Sequence, residues 1–135
     1  MTTIRKSIYL KADKPTVWAF LTEVDKVKTW FHLYDADLAQ GRDYAIFGQD
    51  SGKELGHGTV TRADPHDLLE YSFAIGPMQG ATSTVRWTLT EVMGGTRLDL
   101  EHSGLSDSAE GFGLVLALDK GWDEHLGKMR EAAAP

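Results

Sequence analysis

The chain contains no cysteine, which excludes a disulfide framework, a thiolate nucleophile and any zinc site built on thiolates, and makes a reducing, cytoplasmic compartment the expected home. It also lacks long apolar runs. The first residues, MTTIRKSIYLKADKP, hold no continuous hydrophobic stretch, so neither a secretory signal nor a membrane span is expected. Positive charge is scarce: 14 Lys and Arg stand against 20 Asp and Glu, a net charge of -6, and the cations are scattered singly. With no basic stripe to neutralise phosphates, a nucleic-acid partner is not expected. The chemistry-bearing motifs are missing as well. Histidines 32, 57, 66, 102 and 125 form no HExxH or HxH pair, the glycines of QDSGKELGHG lack the GxxxxGK[ST] pattern, and no serine sits in GxSxG. No metal or cofactor is expected, and nothing demands an enzyme.

What is present is an ordinary globular composition, 41% hydrophobic and 25% charged in 135 residues. That length suits one domain, residues 1–135, burying roughly two-thirds of its unfolded surface. In residues 3–11 the apolar Ile4, Ile8 and Leu10 fall on even positions, which predicts a strand with one buried face, broken at Lys6. Asp13 and Pro15 then supply a cap and an early proline for a short helix through Val17, Phe20, Leu21 and Val24. Asp25 is placed to cap a second helix ending in Trp30 and Phe31. From Tyr34 to Gly104 the pattern turns strand-like: DYAIFG, HGTVTRAD, LLEYSFAI, residues 82–92 and TRLDLEH, the last two joined by a hairpin at Gly94-Gly95.

The final stretch, from Ser106 to the C-terminus, reads as one long helix with Asp107 and Glu110 spaced as a capping turn. Val115, Leu118, Trp122, Leu126, Met129 and Ala133 share one stripe. Gly111, Gly113, Gly121 and Gly127 interrupt it, each at a cost of about 1 kcal/mol, so the helix depends on what it packs against. The order of elements predicts an α+β fold in which a curved antiparallel sheet grips this helix, with two short helices after the first strand. A sheet walled with large aromatics does not fill all the space beneath one helix, so a cavity is expected there. The half of the helix from Trp122 onward is expected to be a fixed plug, and Gly111 to Leu116 a looser lid over the cavity mouth.

Several motifs carry a family likeness: Pro15-Thr16-Val17-Trp18, Lys28-Thr29-Trp30-Phe31, Gly58-Thr59-Val60 running to Pro65 and Leu69, Trp87-Thr88-Leu89 to Gly94-Gly95-Thr96-Arg97-Leu98, Glu101-His102-Ser103-Gly104-Leu105, and Gly121-Trp122. In this order they resemble the START-like (SRPBCC, helix-grip) superfamily, and within it the bacterial relatives of the activator of heat-shock-protein-90 ATPase. The resemblance implies a hydrophobic cavity between sheet and helix that takes lipids, polyketides or other small apolar molecules. Superfamily members also include cyclases and co-chaperone domains. A chaperone ATPase partner is disfavoured, because the activator itself carries an N-terminal domain for which this chain has no room.

The candidate ligand-binding residues are therefore the converging aromatics Trp30, Phe31, Tyr71, Phe73, Trp87 and Trp122, with Leu118 from the helix stripe and His102 from the last strand. Tyr71 and His102 would supply polar handles to an otherwise non-directional pocket. The competing reading makes these residues plain core, with His102 hydrogen-bonded to a neighbour. The carboxylate pairs Asp35/Asp37 and Asp64/Asp67 read as turn residues, and Glu91 and Arg97 as a cross-strand pair. The function expected is binding of a small hydrophobic molecule, with a cyclase- or hydrolase-like enzyme or a chaperone-associated interaction domain as alternatives. A homodimer is compatible with this reading.

Overall fold

Period-two alternation governs most of the chain, and the strands it produces pair in one antiparallel sheet. The computed structural model describes residues 1–134. The strands are β1 (Thr2–Leu10), β2 (Leu33–Tyr34), β3 (Asp43–Phe47), β4 (Glu54–Asp64), β5 (Leu68–Ile75), β6 (Ser83–Val92) and β7 (Gly95–Leu105). They are ordered β1-β7-β6-β5-β4-β3-β2, so the first strand returns to pair with the last and the meander in between is sequential. Two short helices, α1 (Lys14–Thr22) and α2 (Val24–Val27), follow β1, and a long helix, α3 (Phe112–Ala132), closes the chain. This is the α+β helix-grip architecture expected from the pattern.

One face of the sheet is apolar throughout. Leu69, Tyr71 and Phe73 of β5, Val85, Trp87 and Leu89 of β6, and Leu98, Leu100 and His102 of β7 are all buried. At β4 the neighbouring strands approach closely, and Gly58 shows why. A Cβ there would lie 1.9 Å from the Ser72 carbonyl oxygen and 2.8 Å from the Tyr44 ring. Without a side chain, Tyr44 lies across the strand and its hydroxyl donates to that carbonyl at 2.6 Å. At the β6–β7 hairpin, Gly94 takes φ 90°, a left-handed conformation that glycine adopts without steric cost.

The helices are anchored more indirectly than expected. Asp13 caps α1 by accepting from the Thr16 amide at 2.9 Å. Asp25, the expected cap of α2, is instead inside that helix, and the Val24 amide donates to Asp37 from a loop thirteen residues on, at 2.8 Å. Asp107 likewise is not the cap of α3. It binds the N-terminal amine at 2.9 Å and Thr2 Oγ1 at 3.0 Å, tying the end of β7 to the start of β1. The long helix begins five residues later, after Gly111, with no side-chain cap.

Val115, Trp122, Leu126 and Met129 bury the inner face of α3. Lys6, which breaks the alternation of β1, points toward the same helix: its ammonium reaches Asp119 at 2.7 Å and Asp123 at 3.0 Å, one turn apart. Its side chain is 18% exposed while those of Asp119 and Asp123 are 50% and 61% exposed, so the contact is a partly screened tether between β1 and α3. Among the described residues no helix is long and apolar enough to cross a membrane.

Candidate functional site

Trp122 is the hub from which the interior divides into a closed core and an open cavity. It is 2% exposed. Its indole is stacked parallel to Phe31 at 5.6 Å and meets Trp87 edge-on at 5.6 Å. Its Nε1–H donates to His102 Nδ1 at 3.0 Å. That bond fixes the imidazole: Nδ1 accepts, so Nε2 carries the proton and donates to Ser83 Oγ at 2.7 Å. Ser83 in turn donates to the Phe73 carbonyl at 3.1 Å.

This relay consumes every polar atom of His102. The ring is fully buried, and burial pushes its pKa down to about 4, so it is neutral at ordinary pH. A serine and histidine at hydrogen-bond distance suggest a nucleophile and its base, but the proton sits on the wrong side. With Nε2 protonated, His102 is a donor toward Ser83 and is not poised to take its proton. The pair is a structural lock between β6, β7 and α3.

Tyr71 meets a similar fate. Its oxygen accepts from the Trp87 indole at 3.1 Å, and burial pushes its pKa up to about 12. Trp30 is also sealed, its indole donating to the Phe20 carbonyl at 2.7 Å while its ring meets Trp87 edge-on. Of the eight residues singled out from sequence, four thus form the core behind the cavity: Trp30, Tyr71, Trp87 and His102. The physical reason is satisfaction, because each buried side-chain nitrogen or oxygen atom of these residues already has a hydrogen-bond partner within the protein.

The other four, Phe31, Phe73, Leu118 and Trp122, line a cavity of about 300 Å³ between α3 and the β3–β5 end of the sheet. Ile46, Leu55, Ile75 and Pro77 complete the apolar wall, and His32 and His125 stand at its mouth. Along the helix the cavity is bordered by Ala117, Gly121 and His125. These lie at i, i+4 and i+8, one step round from the buried stripe. Small residues at two of these positions leave the space unfilled, and a Cβ added at Gly121 would meet nothing within 4 Å. That small-residue stripe was the signal available in the sequence for the residues missed there.

The mouth is therefore walled by the middle of α3, and not by the Gly111–Leu116 end expected to cover it. That end borders a separate recess with Pro77, Met78, Gly104 and Leu114. The carboxylate pairs take structural roles: Asp35 binds Arg42 at 3.2 Å and the Ala45 amide at 3.1 Å, Asp64 binds Arg62, and Asp67 binds Lys14. Arg97 pairs with Asp99 at 3.0 Å, leaving Glu91 opposite Thr96.

His125 Nδ1 lies 3.1 Å from the Trp30 carbonyl, and its ring meets Phe31 edge-on at 4.7 Å. Burial lowers its pKa, and burial followed by the nearby Lys128 charge lowers that of His32. The site is an apolar slot with two neutral imidazoles at its entrance, able to hold a small hydrophobic body and orient one polar end.

Comparison with known proteins places this geometry in context. The family model described as Activator of Hsp90 ATPase homolog 1-like protein matches residues 11–134. No curated protein matches the chain. Among solved structures, MLL2253 from Mesorhizobium loti is similar with a TM-score of 0.86 and 22% identity, over 97% of this chain and 96% of that one. The Aha1 dimer from Colwellia psychrerythraea is similar with a TM-score of 0.82 and 19% identity, over 98% and 96%. DynU16, a protein in the dynemicin biosynthetic locus, has a TM-score of 0.82 and 23% identity over 96% of this chain, which spans 46% of DynU16. At these identities the likeness is one of fold.

Proposed function

Given that the chain belongs to the Activator of Hsp90 ATPase homolog 1-like family, matched over nearly its whole length, we propose that it binds a small hydrophobic molecule, a lipid, polyketide or aromatic metabolite, in the cavity beneath α3. The single observation that carries this reading is the cavity of about 300 Å³ walled by Phe31, Phe73, Ile75, Leu118 and Trp122. A volume of that size stands at the lower end of small-molecule sites. Gly121 costs the helix about 1 kcal/mol relative to alanine, and a larger apolar side chain at Ala117 or Gly121 would fill the space that both border. Retaining small ones there is consistent with space kept for an occupant. The likeness to DynU16 fits a role beside natural-product chemistry.

We read the protein as a binding module in preference to an enzyme. The best-placed acid–base pair, Ser83 and His102, lies outside the cavity lining and in a tautomer unsuited to activating the serine. A homodimer is compatible with this function, and the relative from Colwellia psychrerythraea is a dimer. The test is a titration with N-phenyl-1-naphthylamine, a neutral dye that brightens in apolar surroundings. Saturable brightening, reversed by competing apolar molecules, is expected. A protein that leaves the dye dark across micromolar concentrations would refute the reading.

A further inference from the structure

Apolar walls decide how much of a molecule the cavity holds, whereas polar atoms at the mouth decide which end faces out. Phe31, His32, Leu55 and His125 border both the apolar cavity and a shallower polar groove that continues over Gly48–Ser51 and Lys128. Whatever fills the cavity therefore ends beside two imidazoles, whose ring centroids lie 5.2 Å apart at 75°.

The two rings have different atoms left to offer. A carbonyl oxygen can only accept, so His125 Nδ1, 3.1 Å from the Trp30 carbonyl, must carry the proton and donate. Its remaining nitrogen, Nε2, is then a lone-pair acceptor. His32 makes no hydrogen bond among the described residues, and in either tautomer it keeps one N–H to donate. An acceptor beside a donor matches a hydroxyl, which gives one hydrogen and takes another. An ether or ketone would set its own lone pairs against Nε2 of His125.

A carboxylate fits less well. Burial holds both imidazoles below their usual range, reinforced by Lys128 and, for His125, by His32, with the Trp30 hydrogen bond and then Glu124 opposing at His125. Among the described residues bordering the groove the one full positive charge is the exposed Lys128, screened by water, and Asp50 borders the same groove.

We propose that the ligand of this cavity is a phenol, whose ring lies among Phe31, Phe73 and Trp122 and whose hydroxyl donates to His125 Nε2 and accepts from His32. This rests on reading the cavity as a small-molecule site, and the experiment separates the two ideas. Calorimetric titrations compare 2-naphthol, 2-methoxynaphthalene and 2-naphthoate at neutral pH. The naphthol is expected to bind about tenfold more tightly than its methyl ether, the worth of one or two hydrogen bonds. His125→Phe keeps a flat ring without the acceptor and is expected to bring the naphthol down to the affinity of the ether, with the ether unchanged. His32→Phe leaves the Trp30 bond intact and removes a donor that either oxygen can use, so it is expected to weaken the naphthol and the ether alike, by about threefold. If the ether or the naphthoate binds wild-type protein as tightly as the naphthol, the proposal is overturned while apolar binding stands. If none of the three binds, both ideas fall.

Discussion

At the scale of single residues, the fate of a buried polar atom is decided by how many partners surround it. His102 sits on an inward strand position, as its place in TRLDLEH implies, but alternation gives the face and not the depth. Trp122 and Ser83, 20 and 19 residues away in sequence, occupy both ring nitrogens, and no local pattern announces such a meeting. The consequence is measurable. With a folded pKa of about 4 against an ordinary 6.5, the unfolded chain takes up a proton through this window while the folded chain does not. Stability is therefore full above about pH 6.5 and falls as pH drops toward 4, by at most about 1.4 kcal/mol per unit for this one proton. His32 and His125, also lowered by burial, act in the same direction. Urea melts between pH 7.5 and 4 should show the decline starting above the carboxylate range, and a flat profile down to pH 5 would contradict it. A second residue-scale prediction concerns Gly58. Because an added Cβ would meet backbone and not a yielding side chain, Gly58→Ala should lower stability by about 2 kcal/mol or more, read as a shift in the urea midpoint.

At the scale of elements, most of the sheet was legible because one face is buried and period-two patterning marks it strand by strand. LLEYSFAI is β5 to the residue. What escaped were features set by distant partners: the two-residue β2, the cap of α2 by Asp37, and the start of α3, since Asp107 is drawn away to the N-terminus. Lys6 looked like a flaw in β1 and is a cross-link to α3. Lys6→Met should therefore loosen the helix by at most about 1 kcal/mol without altering the sheet, since Asp119 and Asp123 stay solvated when they lose their cation. The two halves of α3 differ. Phe112 and Leu116 are 55% and 54% exposed and the N-terminus lacks a side-chain cap, whereas Trp122, Leu126 and Met129 are buried. Hydrogen exchange should be faster at residues 112–118 than at 122–130, and equal protection would show that the uncapped end is as firmly held as the plug.

At the scale of the molecule, the seven-stranded sheet and α3 enclose more volume than their side chains fill, and the surplus lies where small helix residues face the β3–β5 end. The candidate site was half legible. The aromatics were identifiable as a converging set, but which of them line a space and which seal the core depends on where α3 is thin, at Ala117 and Gly121. The most direct measurement uses two glycines on that helix. Neither Gly121 nor Gly127 has an atom within 4 Å of an added Cβ, yet only Gly121 borders the cavity. Dye titration of Gly121→Phe and Gly127→Phe, beside the wild type, compares a blocked cavity with the same change elsewhere. The account predicts that Gly121→Phe loses at least tenfold in affinity for N-phenyl-1-naphthylamine while Gly127→Phe binds as the wild type does. Unchanged binding in a folded Gly121→Phe protein would contradict it.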